Sequence, residues 1–290
     1  DQGHTSGESA ISNQEFFDRV MQEIRKLIQA SRDGIFELDL RLRPHGESGP
    51  LAVSLDSFIT YYGQDGGALD YERLALSRLR LIAGDHGLGQ RIVDIRDSIL
   101  YLSHSISLKA VADLREKQFS HKCASGRLNA KFSSGGLVDL EYAIQLLQVQ
   151  FGGEHPEARI SGSCAALEAL SLAGCLTASE ADELAGSYRF MRSLIYGMRM
   201  LRGNAKDLEL PDVGTPEFAH LARRMGYEGD GGLSAAEQLL IDIERHMAAS
   251  RSFFQNKFNA GVKVTRAFAN LADIVLNPKL DDDTAHAVLS

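Results

Sequence analysis

The sequence shows no apolar run long enough to cross a membrane and, in its first residues, no secretory signal pattern. No apolar run in its 290 residues approaches the ~20 residues that a helix needs to cross a bilayer. The first ten residues, DQGHTSGESA, are small and polar, without the basic and then apolar pattern of a secretory signal. These absences predict a soluble, cytoplasmic protein that does not contact membranes.

Cysteine and histidine patterns that build metal or disulfide sites are also missing. The cysteines are Cys123, Cys164 and Cys175, which are odd in number, widely spaced and free of any C-x-x-C pair. The nine histidines include no H-E-x-x-H pair. The net charge of -8 disfavours non-specific binding to a phosphate backbone. We therefore expect reduced cysteines and no nucleic-acid partner.

Most of the chain shows the periodicity of amphipathic helices. Ser12 and Glu15 have the spacing of a capping box, and the apolar residues that follow recur every three to four positions. The same periodicity returns in several segments from position 55 onward. The apolar content of 44% is ample for a core. The pattern predicts a mainly helical protein.

One stretch, GIFELDLRLRP at residues 34–44, has the two-residue period of a half-buried strand instead. Its polar side would carry Glu37, Asp39, Arg41 and Arg43, and the strand is expected over residues 35–43. In one interpretation these charges are the wet face of an edge strand. In the other they form a phosphate site, because nucleotidyl transfer needs carboxylates for magnesium and guanidinium groups for polyphosphate. The following turn has glycines but no Walker A lysine.

Five segments resemble, in order and spacing, the glutamine synthetase adenylyltransferase/deadenylylase family. They are ISNQEFFDRVMQEI, FELDLRLRPHGESGPL, YERLALSRLRLIAGD, FSSGGLVDLEYAIQLLQ and FAHLARRMGY. This resemblance implies a polymerase-β-like nucleotidyltransferase domain followed by a helical bundle. We expect a partial α+β nucleotidyltransferase domain at residues 1–53 and a helical bundle at residues 54–290.

The resemblance also implies a function and its partners. The family uses ATP and Mg²⁺ to add AMP to a tyrosine of glutamine synthetase, or removes that AMP with phosphate, and so regulates nitrogen assimilation. It responds to a signalling protein of the PII type. The motifs leave open which of the two reactions the chain resembles.

Residue roles follow from the matching positions. Asp39 corresponds to the third carboxylate of the family's metal site, and Glu72 to a second catalytic position. The expected nucleotide- or phosphate-binding residues are Arg41, Arg43, Ser48, Gly49, Arg78 and Arg80. For Glu72, Arg78 and Arg80 the alternative is an exposed helix face with local ion pairs. Asp139 and Glu141 match another family motif, and a structural role at a helix start is favoured for them.

The G-S-D-x-D strand that supplies the family's other two metal carboxylates is missing from the sequence. One carboxylate is a poor cage for two magnesium ions, so the chain alone is expected to have little or no activity and to be a fragment or a degenerate version of the family's enzyme. The alternative is a catalytically inactive helical module that binds partners.

Overall fold

In the computed structural model, the described residues are 3–29, 38–103, 106–123, 127–203 and 207–258. Within these ranges the regular structure is helical, and β-type pairing is limited to isolated bridges. The predicted mainly α fold class is therefore confirmed. The chain forms two compact units, Asp1–Ile106 (unit 1) and Ser107–Ser290 (unit 2). The expected boundary at residue 53 separates two domains that are defined by resemblance to the family, not by compactness, and it stays a prediction.

Unit 1 is made of short helices joined by well-ordered turns. Its α-helices are α1 (Asn13–Gln29), α2 (Leu55–Tyr62), α3 (Asp70–Ala75) and α4 (His86–Asp97). A 3₁₀ turn at Leu76–Arg78 follows α3, and a π-helical segment at Ser98–Ser103 follows α4. The periodicity of residues 71–83 and 88–102 predicts two longer helices, whereas the structure ends both α-helices earlier and continues them in the 3₁₀ turn and the π-helical segment.

Helix α1 begins where its sequence predicts, but much of its apolar face is uncovered. The Ser12 hydroxyl accepts a hydrogen bond from the Glu15 N–H at 3.2 Å, which caps the first turn. Phe17 is 52% exposed and Leu27 is 77% exposed. Such a face is normally packed against a core. Within the described residues this apolar face therefore stays largely open to solvent.

The predicted strand is wrong for the part of it that the structure describes. Residues 38–43 are irregular, and residues 35–37 lie outside the described ranges. A strand is stabilised by a ladder with a partner strand, and no sheet is present among the described residues to provide one. Leu42, expected on the buried side, is 71% exposed. The alternating pattern is present in the sequence, but the described residues offer it no strand to pair with.

Unit 2 is a helical bundle. Its helices are α5 (Leu108–Lys122), α6 (Leu137–Phe151), α7 (Ser163–Leu172), α8 (Ala178–Arg202), α9 (Pro216–Arg224) and α10 (Ala235–Phe258). Helix α8 packs against α6, α7, α9 and α10, as its broad apolar surface predicts. Its buried side chains include Met191, Leu194, Ile195 and Met198. The segment TRAFANLADIVLN at residues 265–277, whose periodicity predicts a final helix, lies outside the described residues. None of the described helices is long and apolar enough to span a bilayer.

Candidate nucleotide-handling loop and its supports

Residues 38–50 of unit 1 form a loop in which Arg41 is turned back onto Asp39. The Arg41 Nε lies 2.9 Å from Asp39 Oδ1, and its Nη2 lies 2.7 Å from Oδ2. The Arg41 backbone N–H also donates to Oδ1, at 3.0 Å. Both side chains are more than half exposed. The structure thus brings these two predicted residues into a two-pronged ion pair that faces solvent.

Arg43, predicted to bind phosphate, holds the loop together instead. Its guanidinium donates to the backbone carbonyls of Pro50 at 3.0 Å, Gly49 at 3.1 Å and Glu47 at 3.3 Å, and also to that of Leu40. Carbonyl oxygens that would otherwise lack partners in an irregular loop are satisfied in this way. A guanidinium with these partners has few donors left for a ligand.

Ser48 and Gly49 shape the turn that follows. The Ser48 hydroxyl donates to the His45 carbonyl at 2.8 Å, within a 3₁₀ turn at Gly46–Ser48. His45 has a φ of 63°, in the left-handed region that non-glycine residues rarely adopt. A Cβ at Gly49 would lie 2.1 Å from the Pro44 carbonyl oxygen, so only glycine fits there. These residues fix the backbone of the turn.

Glu72, predicted to be catalytic, accepts hydrogen bonds from two sides. The Tyr61 hydroxyl lies 3.0 Å from its Oε1, and the Leu69 N–H donates to its Oε2 at 2.8 Å, which caps α3. The Tyr61 ring packs edge-on against His45, with the centroids 4.6 Å apart. Burial, and then the bond to Glu72, raises the pKa of Tyr61. This contact connects Glu72 to the loop, and sequence reasoning missed both Tyr61 and His45.

A buried arginine beside Glu72 orders the turn between α2 and α3. Arg73 donates to the carbonyls of Ala68 at 2.5 Å, Gly63 at 2.8 Å, Tyr62 at 3.0 Å and Gly66 at 3.2 Å. It is 4% exposed, so it acts within the fold. Arg78 ends the 3₁₀ turn after α3 and is partly buried, whereas Arg80 is exposed. These two predicted phosphate ligands therefore differ in their access to solvent.

The described residues do not by themselves make a magnesium site. They contain no group of three or more Asp, Glu, His or Cys side chains placed to hold a metal ion. The Asp39 carboxylate is already bonded to a guanidinium. Magnesium ions in nucleotide sites are held by protein carboxylates together with substrate phosphates and water, and a single carboxylate is a poor cage for two of them.

The second family motif, at residues 132–142, forms a buried polar network in unit 2. The Asp139 carboxylate accepts from the Gly135 N–H at 2.6 Å and pairs with the guanidinium of Arg115 on α5. Arg115 also donates to the carbonyls of Phe132 and Ser133, at 2.6 and 3.1 Å. Both charged groups are buried. This geometry supports the structural role favoured for Asp139, while Glu141 is half-buried.

The ionisation of Tyr62 makes the folding stability of unit 1 depend on pH in the alkaline range. Burial, followed by the charge of Glu72, raises the pKa of Tyr62 to about 12. An unfolded tyrosine ionises near pH 10. The contribution of the neutral Tyr62 hydroxyl to the free energy of unfolding is therefore complete below pH 10 and is lost as the pH rises toward 12.

We expect the free energy of unfolding in urea to decline over this pH range. Tyr62→Phe, which cannot ionise, should reduce the decline. An unaltered decline in Tyr62→Phe would contradict the assignment.

Comparisons with known proteins agree with the motifs. Residues 1–94 match a family model described as glutamate-ammonia ligase adenylyltransferase, and residues 109–258 match one described as GlnD PII-uridylyltransferase. Relatives named bifunctional glutamine synthetase adenylyltransferase/adenylyl-removing enzyme are 32% identical over 82% of the chain in Streptomyces avermitilis and 30% identical over 86% in a Bradyrhizobium species. The chain spans 24% and 25% of the length of these two relatives.

Proposed function

The chain belongs to the glutamine synthetase adenylyltransferase/adenylyl-removing family, and from this membership we propose that it is part of an enzyme that adds AMP to glutamine synthetase or removes it. The observation that carries the proposal is the similarity over more than four fifths of the chain to relatives with this name. ATP is the expected donor in one direction and phosphate the expected acceptor in the other. The acceptor on glutamine synthetase is a tyrosine, and we place this chemistry in the cytoplasm.

In this proposal the 38–50 loop handles the polyphosphate. Arg41 is the best-placed cation, because Asp39 holds its guanidinium in one orientation at the solvent-facing side of the loop. A guanidinium that is already oriented loses less freedom when it takes up charge on a phosphate. Arg43, Ser48 and Gly49 support that loop through their own hydrogen bonds and sterics. Arg80, which is exposed, and Arg78 remain proposed phosphate ligands.

Two further assignments concern carboxylates. We propose that Glu72 is positioned for catalysis by the Tyr61 hydroxyl and the start of α3. Asp39 stays the proposed magnesium ligand of this chain, and its companions would come from residues that the structure does not describe or from a longer gene product. Magnesium would supply positive charge beside the phosphates.

The chain is proposed to be a piece of a larger enzyme. The matched segment is about a quarter of each of the two relatives, and α1 leaves apolar side chains such as Phe17 and Leu27 exposed. A nucleotidyltransferase domain packed on that face would cover it. A protein of the PII type is the proposed regulator of the whole enzyme.

A second candidate is a helical interaction module without chemistry. The ion pair between Asp39 and Arg41 favours it, since a carboxylate that is already paired binds a cation less readily. Asp139 serves the fold of unit 2, which is compatible with either candidate. The two candidates differ in whether the complete gene product changes the AMP content of glutamine synthetase.

The test uses the complete product of the gene that encodes the chain. It is incubated with glutamine synthetase and ATP, and separately with AMP-modified glutamine synthetase and phosphate, and the modification is followed by intact mass. We expect AMP to be gained or lost in at least one reaction, and the isolated 290-residue chain to be far slower. The absence of any change in both reactions with the complete product would favour the inactive module.

A further inference from the structure

One face of helix α8 carries exposed or half-buried side chains of the types that dominate protein interfaces. Arg189, Arg192, Tyr196 and Met200 follow one another at spacings of three and four residues, which places them in a row on one side of the helix. We call this row the α8 stripe. Tyr196 is 48% exposed and Met200 is 67% exposed. The opposite side of α8 lies in the core of unit 2.

The stripe is partly ordered before anything binds to it. The Arg192 guanidinium carbon lies 5.0 Å from the centroid of the Tyr196 ring, and the same guanidinium donates to the tyrosine hydroxyl. Cation–π stacking of this kind holds two long side chains together. A surface whose side chains are already ordered loses less conformational entropy on association.

The charge of the stripe contrasts with that of the whole chain. The chain has a net charge of -8, yet residues 184–202 contain no Asp or Glu. Arginines in the last turn of a helix are explained by the helix dipole, and Arg202 also pairs with Glu217 at 2.8 Å. Neither explanation covers Arg189 and Arg192, which lie more than two turns before the end of α8. Asp182 is on the same face, about two turns before Arg189.

We propose that the α8 stripe docks a carboxylate-bearing surface of the protein substrate, glutamine synthetase. The choice of partner rests on the proposed function, whereas the choice of surface rests on the stripe. Arginine pairs with carboxylates through two parallel hydrogen bonds, and tyrosine and methionine fill the apolar centre of an interface. A nucleic acid fits less well, because the row spans only about 15 Å and the chain is strongly negative.

The test reverses the charge of the stripe in the complete gene product, with Arg189→Glu and Arg192→Glu combined. The KM for glutamine synthetase should rise roughly tenfold or more at low salt, with kcat unchanged, and the difference should shrink as salt is added. The matched control combines Arg223→Glu with Arg224→Glu, which makes the same charge change at two exposed arginines at the end of α9. This control should leave the KM within about twofold of the wild type.

The outcomes separate the docking proposal from the proposed function. An unchanged KM in the stripe variant, with an active wild type, overturns the docking surface alone. A wild-type product that neither adds AMP to glutamine synthetase nor removes it overturns the proposed function and the choice of partner together. If the stripe variant instead loses the ability to retard a DNA duplex in a gel, with its KM unchanged, the surface binds nucleic acid and the proposal is wrong. Should the variant fail to fold, Arg189→Gln with Arg192→Gln replaces it.

Discussion

Asp139→Ala lowers the free energy of unfolding of unit 2 by about 3–5 kcal/mol, the usual cost of breaking a buried ion pair by removing one partner. The substitution leaves the Arg115 guanidinium buried without its carboxylate and the Gly135 N–H without its acceptor. Neither group can reach water easily, because both lie inside the network between α5 and the start of α6. Urea unfolding of the 290-residue chain, followed by circular dichroism, measures the change.

Asp113→Ala is the matched control for this prediction. Asp113 also pairs with a cation on α5, Lys109 at 2.6 Å, but both side chains are largely exposed. Its loss should therefore change the unfolding free energy by less than about 1 kcal/mol. If Asp139→Ala does not fold, the double variant Arg115→Met with Asp139→Leu removes both charges and should restore a folded state. Equal, small effects of Asp139→Ala and Asp113→Ala would contradict the structural role.

Helical segments of this fold were predictable because their signals are local. The cap at Ser12 and the apolar periodicity of α6 and α8 depend on residues a few positions apart, and the structure confirms these helices. The strand at residues 35–43 failed in its described part because a strand needs a partner that lies elsewhere. Periodicity reports which side of an element is apolar, but it does not report whether anything covers that side.

The candidate site was predictable only in outline. The family motifs identified Asp39, Glu72 and the neighbouring arginines, and the comparisons confirm the family itself. They did not show that Arg43 binds carbonyl groups or that Tyr61 bonds to Glu72, since neither hydrogen bonds to the backbone nor side-chain contacts that form only on folding leave a pattern in a sequence. The sequence does not indicate that Tyr61, eleven positions before Glu72, would bond to it, because the two side chains meet only when α2 and α3 are folded.

Asp39→Asn should slow AMP transfer or removal by the complete gene product on the order of 10² or more, comparable to the loss of one strong electrostatic contributor to a transition state. Asparagine keeps the size of the side chain, so the fold should survive. It removes the negative charge and one of the two oxygens that hold Arg41. If Asp39 were only a surface charge, the change would cost at most ~1 kcal/mol of stability and leave turnover intact.

The most direct measurement compares initial rates of AMP exchange on glutamine synthetase for the wild type, Asp39→Asn and Asp65→Asn. Asp65 lies exposed in the turn between α2 and α3, so Asp65→Asn makes the same chemical change away from Asp39 and Arg41. Thermal unfolding of each variant reports whether the fold is kept. We predict a rate lower by on the order of 10² for Asp39→Asn alone, with melting temperatures that match the wild type. A wild-type rate in Asp39→Asn would contradict the assignment of this loop to nucleotide chemistry.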